Sequence, residues 1–246
     1  MLSKKELKSL LFIDIETITE FEFFSEFEES RPELSKLFID KMIKKNNLDS
    51  NYTPDDLQIC YRNNASLYPE FSKIITISYG MVKIDDDSKG YNKIIKNITD
   101  TNEVNILARF ANVLNKIYES NSNLKLCGHN IEGFDIPFLI KRYIINLLEL
   151  PKILHIFNLK PWESPIVDTM KIWRFGSFEP TSLDILCNVL NIESPKSVEV
   201  NNKIISNIYY NDNENGLDII SEYCTKDVDV LIDILHRFLI SHGTHY

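Results

Sequence analysis

The order of apolar patterns along the chain predicts an α/β protein built on a mixed sheet flanked by helices. Three observations carry this reading. Three β-branched-rich segments follow one another before any long helical pattern. An amphipathic helix then separates them from a fourth strand, and helical periodicity dominates the rest of the chain. The 246 residues hold no repeat, glycine-rich linker or low-complexity tract, so a single domain over 1–246 is the simplest organisation.

Leu10-Leu11-Phe12-Ile13 is an apolar run entering Asp14-Ile15-Glu16-Thr17, the pattern of a buried strand whose end turns polar. Residues 20–70 read as an irregular insertion: an acidic Phe-rich piece with Phe21, Phe23, Phe24 and Phe27, a helical stretch from Pro32 to Lys45, then a polar, turn-rich segment. The Phe cluster reads as core packing ahead of base stacking. Lys73–Val82 and Tyr91–Lys96 form strands two and three, joined by the turn chemistry of Asp85-Asp86-Asp87-Ser88-Lys89-Gly90. From Asn102 to Ser120, Val104, Leu107, Ala108, Ala111, Leu114 and Ile117 recur at helical spacing. Leu124–Cys127 is the fourth strand. A helix with Pro137 in its first turn runs from Asp135 to about Leu148, and further helices are expected over Thr181–Leu190 and Leu217–Ser241.

Composition excludes several function classes. Hydrophobic residues at 43% and charged residues at 26% are those of a folded globular chain. No apolar run approaches the ~20 residues of a membrane span, and the start carries no signal-peptide core, so the expectation is a cytoplasmic protein without membrane partners. Cys60, Cys127, Cys187 and Cys224 contain no C-x-x-C pair and read as buried free thiols. With 36 acidic against 27 basic residues, the net charge of −9 argues against a large duplex-binding footprint. It does not argue against a carboxylate cluster whose bound cations invert the local field.

Such a cluster is legible in three pieces. Asp14-Ile15-Glu16 puts two carboxylates on one face of a strand, after four core-type residues. A second Asp-x-Glu, Asp212-Asn213-Glu214, sits in an Asn-rich stretch and reads as a solvated loop. In Tyr223-Cys224-Thr225-Lys226-Asp227, a spacing of four puts Tyr223 and Asp227 on one helical face. Tyr52 and Asp56 share that spacing, but Pro54 between them argues against a continuous helix. Gly128-His129-Asn130-Ile131-Glu132-Gly133-Phe134-Asp135 lies where a strand ends and a helix begins. By itself Asp135 there reads as an N-cap.

In this order and spacing, Asp-x-Glu, Asn-x-x-x-Phe-Asp and Tyr-x-x-x-Asp resemble the three exonuclease motifs of the DEDD superfamily. The tyrosine makes the chain similar to the DEDDy branch, and within it to stand-alone 3′–5′ exonucleases akin to the exonuclease domain of family-B DNA polymerases. Phe71-Ser72-Lys73-Ile74-Ile75, Phe134-Asp135-Ile136-Pro137-Phe138-Leu139, Pro161-Trp162, Val167-Asp168-Thr169-Met170, and Thr181-Ser182-Leu183-Asp184 leading to Ser194-Pro195-Lys196 extend the likeness over most of 10–240.

The resemblance implies a ribonuclease H-like fold with a mixed five-stranded sheet flanked by helices. It implies two magnesium or manganese ions held by Asp14, Glu16, Asp135 and Asp227, with Tyr223 orienting the attacking water, and nucleoside 5′-monophosphates as products. Thr17, Asn130 and Phe134 fall at the substrate in this picture, although Asn130 reads equally as a turn-stabilising amide. The expected partner is the 3′ end of a single strand, DNA ahead of RNA. His129 reads as structural, and Asp168 and Asp184 as helix-start residues. The rival readings are a ribonuclease H-like endonuclease or recombinase, which usually lacks the tyrosine, and a metal-free nucleic-acid or protein-binding module, against which all four carboxylates weigh.

Overall fold

The computed structural model describes residues 4–85, 90–194, 202–211 and 215–241. The expected turn at 86–89, Pro195-Lys196 and the Asp212–Glu214 segment lie outside these residues. The strands are β1 (Leu10–Thr19), β2 (Ser72–Asp85), β3 (Gly90–Thr99), β4 (Lys125–Gly128) and β5 (Ile166–Asp168). They form one five-stranded sheet in the order β3-β2-β1-β4-β5. β1 and β2, and β2 and β3, pair antiparallel, whereas β1 and β4, and β4 and β5, pair parallel. The mixed α/β sheet read from the sequence is therefore present, with one strand more than the patterns had shown. β5 is three residues long, too short for any periodicity to register.

The helices are α1 (Lys4–Leu7), α2 (Phe24–Ser30), α3 (Pro32–Lys44), α4 (Pro54–Asn64), α5 (Glu103–Ser120), α6 (Asp135–Ile145), α7 (Thr169–Arg174), α8 (Leu183–Leu190), α9 (Asn202–Asn211) and α10 (Gly216–Ser241). Among the described residues, none is long and apolar enough to cross a membrane. Alternation along β1 divides the core between two faces. Leu11, Ile13 and Ile15 pack with Phe110 and Leu114 of α5 and Phe138 and Tyr143 of α6. Leu10 and Phe12 face α10 through Val228, Leu231 and Leu235. Asp14 and Glu16 share the parity of Leu10 and Phe12, so the fold commits them to the α10 side.

Gly80 lets α10 approach. It pairs with Phe12 across the sheet, and a Cβ there would meet Val228 Cγ1 at 3.0 Å and Ile95 Cγ1 at 3.2 Å. At the far end of β1 the register slips: Glu16 pairs with Thr76 but Thr17 with Ile74, leaving Ile75 as the additional residue of a bulge. Ile75 turns with Ile18 toward Ile205 of α9 and Ile220 of α10.

Residues 20–70 are more regular than read: beside the expected helix, present as α3, they carry α2 and α4, around an aromatic cluster of Phe24, Phe27, Phe38, Tyr61 and Phe71, with Phe27 and Tyr61 stacked at 5.3 Å. The segment after residue 46, read as turn-rich, contains α4. Thr53 caps it by accepting from the Asp56 N–H, the Asp56 carboxylate accepts in return from the Thr53 N–H (2.9 Å), and Pro54 occupies the first turn. Pro54 thus starts a helix, and Tyr52 stays outside it, so Tyr52 and Asp56 share no continuous helix, as read. Phe24 and Phe27 are core residues and Phe21 packs against them, as the packing reading held, whereas Phe23 is 42% exposed.

A buried ion pair joins this excursion to the sheet. Glu103, at the start of α5, accepts from the Ile74 N–H (2.8 Å), from the Arg142 guanidinium and from Asn146 Nδ2, while Arg142 Nη1 donates to the Pro69 carbonyl (2.7 Å). Truncating either partner would leave a buried charge uncompensated, at a cost of about 3–5 kcal/mol.

Candidate metal centre

The site forms where the middle of β1 meets α10. β1 runs on to Thr19, so Asp14 and Glu16 are mid-strand residues rather than a polar strand end. Their side chains rise toward α10, which presents Tyr223, Cys224 and Asp227 within little more than one turn. Carboxylate oxygens of Asp14, Glu16 and Asp227 lie within 4.8 Å of one another. The Tyr223 hydroxyl donates to Asp227. Asp135 enters from the start of α6 and lines the same cavity of about 270 Å³, together with Thr17, Leu67, His129, Asn130 and Phe134. The cap position of α6 belongs to Phe134, so Asp135 is the first helical residue and not an N-cap. Its carboxylate accepts from its own N–H and from that of Ile15, which ties α6 to β1.

The loop that delivers Asp135 is organised by a residue read only as a helix start. Asp168 caps α7 through the N–H groups of Met170 (2.9 Å) and Lys171 (3.3 Å), and also accepts from the N–H groups of Asn130 (3.0 Å) and Glu132 (3.1 Å). Asn130 takes a left-handed conformation with φ 60°, and its carbonyl accepts from Gly133 and Phe134. A Cβ on Gly133 would lie 2.6 Å from Asn130 Oδ1. Asn130 therefore builds the turn through its backbone and also lines the cavity. His129 donates from Nε2 to the Thr181 carbonyl (2.8 Å), and its Nδ1 lies 3.0 Å from the Thr169 hydroxyl, the engagement expected of a structural histidine. Asp184 sits in the first turn of α8, which Ser182 caps.

Two residues at the site escaped the sequence reading. Leu67 reaches it from the excursion, 40% exposed yet held in place, because Thr17 Oγ1 donates to the Ser66 carbonyl (2.7 Å). The Thr17 hydroxyl proton thus goes to that turn rather than to the cavity. Cys224, read only as a buried thiol, donates to the Asp14 carbonyl (3.4 Å) and to Asp14 Oδ2 (3.3 Å). No local pattern marks Leu67. Cys224 lies inside the Tyr-x-x-x-Asp motif, which was the available signal.

The family model of the RNase_H superfamily matches residues 64–239, from the end of α4 to α10. The chain belongs to that superfamily. Comparison of the sequence with curated proteins gives no match. Among solved structures, the chain is similar to the family B DNA polymerase of the hyperthermophilic archaeon Pyrobaculum calidifontis, with a TM-score of 0.52 and 13% identity over 94% of this chain. It spans about a quarter of that polymerase, 24% of its length. The ribonuclease H-like fold and the likeness to family-B polymerases implied by the motifs are borne out in the architecture. β1, with Asp14 and Glu16, lies outside the matched span and is supplied to this ribonuclease H superfamily member by the sheet.

Electrostatics at this cluster point one way. Burial, then Asp227, Glu16 and Asp135 in turn, push the Asp14 carboxyl well above the usual carboxylate range. Burial pushes Asp135 up to about 7 against the pull of the two N–H groups, with Asp168 and Asp227 adding to the rise. Burial and the same carboxylates raise the Tyr223 phenol and the Cys224 thiol, so both stay protonated. Clustered hard oxygen donors under mutual repulsion fit a hard divalent cation, which removes the repulsion that protons otherwise relieve.

Proposed function

We propose that the protein is a metal-dependent 3′–5′ exonuclease that releases nucleoside 5′-monophosphates from single strands, DNA ahead of RNA. The observation that carries this reading is the convergence of Asp14, Glu16 and Asp227 within 4.8 Å, with the Tyr223 hydroxyl on Asp227 and Asp135 in the same cavity. Asp14, Glu16 and Asp227 would hold one magnesium or manganese ion, and Asp14 with Asp135 a second. Two such ions supply an activated water and neutralise charge on the departing 3′ oxygen.

The chain's own residues do the positioning. Tyr223, locked in its protonated form, serves as a donor that orients water rather than as a base. Leu67 and Phe134 offer apolar surface to the terminal base, and Asn130 a polar edge. Thr17 contributes by fixing the Leu67 turn. A cavity of about 270 Å³ suits one nucleotide better than an extended ligand. Incubation of a 5′-labelled single strand with magnesium tests the reading. Stepwise shortening from the 3′ end is expected, whereas an internal cut would favour an endonuclease and an intact strand a binding module.

A further inference from the structure

One buried polar side chain beside the carboxylates has no part in the chemistry proposed above. Cys224 is fully buried between Tyr223 and Asp227 on α10, and its S–H points at Asp14, 3.3 Å from Oδ2 and 3.4 Å from the backbone carbonyl. What lies behind the sulfur is also polar. Ser78 and Thr76 of β2 stand directly across the sheet from Asp14 and Glu16, and both are fully buried. Asn97 of β3 donates from Nδ2 to Thr76 Oγ1 and to Ser78 Oγ, each at 2.7 Å, and Thr76 Oγ1 lies 2.8 Å from Thr99 Oγ1. Ser78 in turn lies 3.2 Å from Oγ1 of Thr225, the residue that follows Cys224 on α10. A sheet face that elsewhere meets α10 with Leu10, Phe12 and Val82 changes to hydroxyls and an amide beneath the carboxylates.

Buried polar side chains are costly unless connected, so such a ladder has to repay its desolvation. The ladder meets α10 at Thr225, beside Cys224. We propose that Cys224 is a positioning residue, whose S–H fixes the Asp14 carboxylate in the orientation that faces Glu16 and Asp227. The inference rests on the reading of this centre as a cation site. A thiol suits the task because it is a weak, uncharged donor. It orients an oxygen without neutralising it, whereas a Lys or Arg at 224 would compete with the cation for Asp14.

Manganese titration of the free protein, followed by loss of the electron paramagnetic resonance signal of unbound Mn²⁺, tests this without substrate. Cys224→Val removes the donor at similar volume, and Cys224→Ser keeps a donor but buries a more polar group. The expected result is an inverted ranking. Cys224→Val weakens Mn²⁺ binding about 10-fold while holding its metal-free Tm, and Cys224→Ser stays close to wild-type affinity despite a lower Tm. Cys224→Ala repeats the loss of binding should the valine variant fail to fold. Wild-type affinity in the Val and Ala variants, or affinities that follow Tm across the series, would overturn the positioning role while leaving the cation site standing. A wild-type protein that binds no Mn²⁺ would overturn both.

Discussion

The hydroxyl of Tyr223 donates to the carboxylate of Asp227, one turn further along α10. Because burial and the surrounding carboxylates keep that phenol protonated, its contribution is geometric. Tyr223→Phe should therefore lower kcat by roughly 10²-fold with little change in KM for a single-stranded substrate. Full kcat in this variant would return Tyr223 to a packing role.

Cation dependence follows from the clustering of Asp14, Glu16 and Asp227. EDTA should abolish hydrolysis, and magnesium should raise Tm by mass action on the folded state. Asp14→Ala and Asp227→Ala should both lose turnover and lose the magnesium-induced rise in Tm, with circular dichroism unchanged.

The metal-free protein should also respond to pH in a defined direction. Asp135 has its folded pKa raised to about 7 against an ordinary value of 3.8, and Asp14 is raised as well. The folded state thus binds more protons than the unfolded chain between about pH 4 and pH 7. The stabilising contribution of Asp135 is full below pH 4 and is lost as pH rises through about 7, at up to about 1.4 kcal/mol per pH unit, and Asp14 acts in the same direction. Without metal, Asp135→Asn should flatten the fall in Tm between pH 5.5 and 7.5, and magnesium should flatten it in the wild type. An unaltered slope in Asp135→Asn would contradict the assignment.

Gly80 sets the distance between β2 and α10. A methyl group there stands 3.0 Å from Val228 Cγ1, which is fully buried and must give by a few tenths of an ångström, so Gly80→Ala should cost about 1–3 kcal/mol in stability. It should also weaken Mn²⁺ binding, because Asp227 precedes Val228. Thermal melts and the manganese titration read these effects separately.

Leu67 should matter for substrate rather than for chemistry. Leu67→Ala removes a partly exposed side chain, so Tm should stay nearly unchanged while KM for a single strand rises several-fold. Equal KM values would remove the excursion from the substrate site.

Much of this centre was legible before any coordinates. The two-residue repeat of a strand puts Asp14 and Glu16 on one face, and the four-residue spacing of a helix does the same for Tyr223 and Asp227. The unbroken apolar run Leu10–Ile13 marks β1 as a strand buried on both faces. The same local logic marked α5 and α10, whose apolar stripes are long enough to register. It failed at β5, where three residues carry no period, and at α4, where a polar composition hides the helix although Thr53 and Asp56 form a capping box at its start.

What only the tertiary structure decided are the relations between segments far apart in the chain. Nothing near Leu67 in sequence announces a place beside Asp14. Thr17 and Ser66 put it there with one hydrogen bond across 49 positions. Asp168 looks like a helix cap and is one, yet it also holds the loop of Asn130 and Glu132 through N–H groups 38 and 36 residues away. Cys224 reads as an inert thiol until α10 is laid over β1. Periodicity is a property of local backbone geometry and can be read from one segment at a time, whereas a hydrogen bond between distant segments exists only once packing has brought its donor and acceptor together.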